Sequence, residues 1–123
     1  MNRRALIIGS NHVLAHQIQH ILHRRGTEVL IATNNAHGLV CAFQQQPDVI
    51  ILTSEMMERM SIQVYEELKR DPRTASIPII VLNDPANDMT GVNMGLNDGD
   101  YQFAVNAFIT YTLVDLLRTM HLR

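Results

Sequence analysis

Four short runs of consecutive apolar residues punctuate the first two thirds of the chain. They are Ala5-Leu6-Ile7-Ile8, Val29-Leu30-Ile31, Val49-Ile50-Ile51-Leu52 and Ile79-Ile80-Val81-Leu82. Runs this short, bounded by turn residues, read as strands rather than helices. A strand that is apolar at every position has to be covered on both faces, which is the situation of a parallel sheet wrapped by helices. The stretches between the runs carry helical spacing. Leu14, Ile18, Ile21 and Leu22 share one face over 12–25, and Ile62, Tyr65 and Leu68 share one over 61–70, which Asp71-Pro72 ends. The spacing over 36–45 predicts a weaker helix, with Gly38 counting against it. Pro78 opens the run at 79–82, and 101–105 fits a fifth strand. A helix over 88–97 carries Gly91 and Gly95, each costing about 1 kcal/mol against Ala. Ile109, Leu113, Leu116, Leu117 and Met120 form a clean apolar stripe on a final helix.

Five β-α units of this kind imply an α/β chain: a (βα)5 doubly wound, five-stranded parallel sheet in a three-layer αβα arrangement, flavodoxin-like in class. Ligand sites in such sheets lie beyond the carboxyl ends of the strands. The residues after Ile8, Leu52, Leu82 and Val105 are therefore the ones to inspect.

Composition narrows the functional classes. At 123 residues the chain reads as one domain, 1–123, large enough to bury its own core. A formal charge of -2 gives no electrostatic footprint for nucleic acid. No segment reaches the ~20 apolar residues of a membrane span. Arg3-Arg4 followed by the apolar run at 5–8 is too short for a secretory leader, so a soluble, cytoplasmic protein is expected. Cys41 is the sole cysteine, which leaves no disulfide framework and no cysteine metal site. Lys69 is the sole lysine.

Several stretches, in order, resemble the receiver domains of response regulators, the CheY-like family. They are Pro47-Asp48-Val49-Ile50-Ile51-Leu52, Met56-Met57, Leu68-Lys69-Arg70-Asp71-Pro72, Ile77-Pro78-Ile79-Ile80-Val81-Leu82, Gly99 and Phe108. The similarity covers nearly the whole chain. It implies a phosphorylation site of five positions, and at each of them this chain carries a different group. The two acidic residues that hold Mg²⁺ after the first strand align with Gly9 and Ser10. The phosphate-accepting Asp aligns with Thr53. The hydroxyl residue after the fourth strand aligns with Asn83, and the Lys after the fifth with Asn106. Ala107 stands where a Pro usually follows that Lys. A neutral hydroxyl without an adjacent base is a poor nucleophile. Phosphoryl transfer depends almost wholly on positioning and charge stabilisation, so losing all five groups should abolish it. Glu55 and Asp84 lie near enough in sequence to face the same pocket, although solvated loop carboxylates are the simpler reading.

The expectation is a stand-alone, atypical receiver without enzymatic activity, phosphoacceptor, metal or cofactor. It would act within a two-component system by contact with a protein, either a kinase or an output protein, or as a homodimer. The resemblance implies the surface for this: the fourth helix, fifth strand and fifth helix, with Phe103, Tyr111, Val114 and Arg118 as candidate contacts. The alternative is a small-molecule-binding or enzymatic flavodoxin-like domain that uses the neutral pocket. Against it, Gly9 stands without the further glycines of a dinucleotide fingerprint. His12, His16, His20 and His23 fall on one side of the first helix, away from Leu14 and Ile18. No acidic or cysteine partner lies nearby, so this stripe reads as a solvated face. Met56, Met57 and Met60 read as a soft apolar cluster for core or loop packing.

Overall fold

The structure, a computed structural model, describes residues 3–10, 12–54, 58–83 and 100–104; for 54, 58–62, 83 and 101–104 it describes the backbone alone. The elements alternate: β1 (Arg4–Ile8), α1 (His12–His23), β2 (Glu28–Ala32), α2 (Asn35–Gln45), β3 (Val49–Ser54), α3 (Glu58–Arg70), β4 (Ile79–Asn83) and β5 (Tyr101–Ala104). The five strands form one sheet in the order β2-β1-β3-β4-β5, every pair parallel. The regions expected as helices over 88–97 and 109–120 lie outside the described residues.

Each all-apolar strand feeds two cores. Ala5, Ile7, Val49, Ile51, Ile80 and Leu82 point to one face, where Leu14, Ala15, Ile18 and Leu22 of α1 cover them. Leu6, Ile8, Ile50, Leu52, Ile79 and Val81 point to the other, under Ala42 of α2 and Val64, Tyr65 and Leu68 of α3. The alternation along each strand is what continuous apolar runs require. Strands β3 and β4 extend past their apolar runs to Ser54 and Asn83, because the ladder continues after the side chains turn polar.

Helix ends follow local chemistry. Gly26, at φ +82°, terminates α1. Its N–H donates to the carbonyl of His23 at 3.0 Å, and that of Thr27 to the carbonyl of Leu22 at 3.1 Å. This is a Schellman closure, in which Gly takes the left-handed position. The side chain of Asn34 caps α2 by accepting from the N–H of His37 at 2.8 Å. At the other end Gln46 sits at φ 49° with its N–H on the carbonyl of Ala42. A non-glycine residue pays for that left-handed geometry. Gln46→Gly is therefore expected to raise stability by about 0.5–1 kcal/mol, read from urea unfolding midpoints: Gly removes the Cβ clash, at the cost only of added unfolded-state freedom and of the exposed bond from Gln46 Nε2 to the Phe43 carbonyl at 3.1 Å.

The turn after α3 is tied by charge. The Arg73 guanidinium donates to both carboxylate oxygens of Asp71, at 3.0 and 2.8 Å, and the Arg73 N–H adds a third bond at 2.8 Å. The same guanidinium lies 4.3 Å from the centre of the Phe43 ring, joining this turn to α2. The hydrogen bonds from the Arg73 side chain, then from its N–H, lower the Asp71 pKa from 3.8 to about 2. A depressed carboxyl contributes stability that is complete above the unfolded value and fades as pH falls from there towards 2. A ¹³C titration of the Asp71 carboxyl should show a midpoint near 2. In Arg73→Ala it should move back towards the ordinary range; an unmoved midpoint would contradict this assignment.

Candidate functional site at the carboxyl ends of the strands

The parallel sheet brings Gly9, Ser10, Thr53 and Asn83 to one end of three neighbouring strands. Gly9 follows β1 and prolongs its ladder, donating its N–H to the carbonyl of Ala32 at 3.0 Å. Ser10, one residue further, is exposed. Thr53 is the penultimate residue of β3 and only 8% exposed. Its hydroxyl donates to the carbonyl of Ile8, the last residue of β1, at 3.4 Å. Across the ladder Thr53 lies opposite Leu82, Ser54 opposite Asn83, and Asn83 opposite Ala104. Four of the five positions singled out from sequence thus share one sheet end. Asn106, Glu55 and Asp84 lie outside the described residues, as do Tyr111, Val114 and Arg118. Phe103 is in β5, opposite Leu82.

The chemistry available from these positions is that of neutral hydrogen-bonding groups. Gly9 has no side chain, Ser10 and Thr53 offer hydroxyls, and the Thr53 hydroxyl is already turned onto a main-chain carbonyl. A Mg²⁺ site needs oxygen donors in near-octahedral array, one or two of them carboxylates. Gly9, Ser10 and Thr53 supply no carboxylate, so they do not fit that ion.

The one lysine of the chain is committed elsewhere. Lys69 Nζ lies 3.0 Å from Asp100 Oδ2, and the two side chains are 11% and 1% exposed. The ammonium also donates to the carbonyls of Ile77 at 2.8 Å and Ala75 at 3.2 Å. Asp100 accepts from the Tyr65 hydroxyl at 2.7 Å and from the N–H of Ile79 at 2.7 Å. Asp100 precedes β5 and Ile79 begins β4, so this network closes the sheet at the end opposite Thr53. It is the most extensive buried polar cluster among the described residues, and the sequence held no periodic signal for it.

Comparison with known proteins gives the arrangement its family likeness. Over 98% of its length the chain superimposes on the chemotaxis response regulator CheY4 of Vibrio cholerae, with a TM-score of 0.75 at 20% identity and 99% of that chain covered. A CheY-like response regulator receiver domain from Methylobacillus flagellatus gives a TM-score of 0.78 at 14% identity, covering 98% of this chain and 99% of that one. The fold is that of the CheY-like receiver domains. Sequence similarity points the same way: 79 residues are 29% identical to protein PilH of Pseudomonas aeruginosa, covering 64% of this chain and 65% of PilH. In three longer transcriptional regulatory proteins the matching stretch spans between 33% and 44% of their length. No family model matches the chain. Thr53, one residue before the end of β3, lies beside β1 and β4. No helix among the described residues is long and apolar enough to cross a membrane.

Proposed function

We propose that residues 1–123 form a single receiver domain of a two-component signalling system that works through protein contacts and without aspartyl phosphorylation. The observation that carries this reading is Thr53: a buried hydroxyl, bonded to the Ile8 carbonyl, where the resemblance requires a carboxylate. A neutral hydroxyl lacks the charge to hold Mg²⁺ and is a weak nucleophile at its ordinary pKa. Gly9, Ser10, Asn83 and Asn106 extend the same neutral character to the other four positions. A cluster of like charges without a cation is self-repelling, so the neutral set favours a scaffold that stays folded and unswitched. The partner is a kinase, an output protein or a second copy, met through the surface of β5 and the segments on either side of it, with Phe103, Tyr111, Val114 and Arg118 as contacts.

Incubation with acetyl phosphate and Mg²⁺, followed by intact-mass spectrometry, tests the reading. The wild-type chain should show no added phosphoryl group. Thr53→Asp should show none either, because the cation-holding and charge-neutralising positions remain empty of charge. A phosphorylated wild-type chain would overturn the proposal, and phosphorylation of Thr53→Asp alone would reduce it to the loss of one residue.

A further inference from the structure

We propose that His16 and His20 of α1 form a two-histidine chelate for a late first-row divalent cation. Residues four apart on a helix stand one above the other, with Cβ atoms about 5–6 Å apart. Two imidazole nitrogens can close on one ion from that spacing, at about 2.0–2.1 Å each for Zn²⁺. Both side chains are exposed, and both line one shallow concavity of about 630 Å³, with Val13, Gln17 and Ile21. The structure adds an orienting contact: His16 Nδ1 is 3.3 Å from Gln19 Oε1. In the tautomer protonated at Nδ1, that nitrogen donates to the amide oxygen and leaves Nε2 as the ligand atom. Such a second hydrogen bond on the far nitrogen is the usual support of a metal-bound histidine.

No group of three potential ligands converges among the described residues. Within the described residues the site is an open one, with two imidazoles as its protein donors. Imidazole donors suit Zn²⁺, Cu²⁺ and Ni²⁺ and leave Mg²⁺ and Ca²⁺ aside. His12 and His23 lie on the same exposed side and are the competing donors.

The test is a Zn²⁺ titration of the full chain at pH 7.5, followed by ¹H–¹⁵N NMR and by competition with a metallochromic indicator. One equivalent should bind, with shifts centred on residues 13–21. His16→Gln and His20→Gln should each weaken binding at least tenfold, while His12→Gln and His23→Gln leave it within twofold. Mg²⁺ should produce no shifts in α1. Unchanged affinity in the His16→Gln/His20→Gln double variant would overturn the proposal. So would a loss in His12→Gln as large as that in His20→Gln, which would place the ion one turn earlier.

Discussion

Asp100→Ala is expected to lower the unfolding free energy by about 3–5 kcal/mol, the range for breaking a buried ion pair by removing one partner. Three groups lose their acceptor at once: the Lys69 ammonium, the Tyr65 hydroxyl and the N–H of Ile79. Lys69 keeps its bonds to the carbonyls of Ala75 and Ile77, which hold the charge in place without neutralising it. Asp100→Asn keeps the volume and one carbonyl acceptor but loses the charge, and should cost less than Asp100→Ala. Chemical denaturation of the three proteins measures the order. A loss below about 1 kcal/mol for Asp100→Ala would mean that water replaces the carboxylate, and that β4 and β5 are not held from this end.

Gly38→Ala is the second large effect, and its sign is the informative part. In an exposed helix this change stabilises by about 1 kcal/mol. Here a Cβ on Gly38 would stand 2.6 Å from Ile8 Cγ2 and 2.7 Å from both Cγ1 and Cδ1. Ile8 is buried, only 1% exposed, in the core that α2 and α3 cover. Overpacking of a tight core costs about 1–3 kcal/mol, so the net change should be a loss. Ile8→Ala alone leaves a cavity and costs about 2–5 kcal/mol. The double variant fills part of that cavity with the new methyl group, so its loss should fall short of the sum of the two. A strictly additive double-mutant cycle would show that the two residues do not meet.

Gly38 also shows where sequence reasoning reached its limit. In the sequence it weakened the case for a helix, because glycine in a helix interior is unfavourable on propensity alone. In the fold it is what lets α2 approach the end of β1, a tertiary fact with no local signature. The strands were legible for the opposite reason. Burial on both faces leaves an unbroken apolar run, and the runs at 5–8, 49–52 and 79–82 each fall within an observed strand. The candidate positions Gly9, Thr53 and Asn83 were legible with them, because each directly follows an apolar run and parallel strands carry such positions to one end of the sheet. The Lys69–Asp100–Tyr65 network was not, since its members come from a helix and a loop far apart in the chain with no repeating pattern to link them. In the sequence Lys69 stands out as the sole lysine and as part of the stretch at 68–72 that carries the family resemblance, neither of which links it to Asp100. Its burial at the opposite end of the sheet explains why the described part of the site has no ammonium to draw on.

Beryllofluoride, which mimics a phosphoryl group on a carboxylate, gives the most direct test of an unphosphorylated receiver. ¹H–¹⁵N NMR spectra of the chain should be the same with Mg²⁺ alone and with Mg²⁺ plus beryllofluoride, because Gly9, Ser10 and Thr53 offer no carboxylate to either. Saturable shifts in the amides of Gly9, Ser10 and Thr53 on adding beryllofluoride would contradict the account and restore a working phosphoacceptor site.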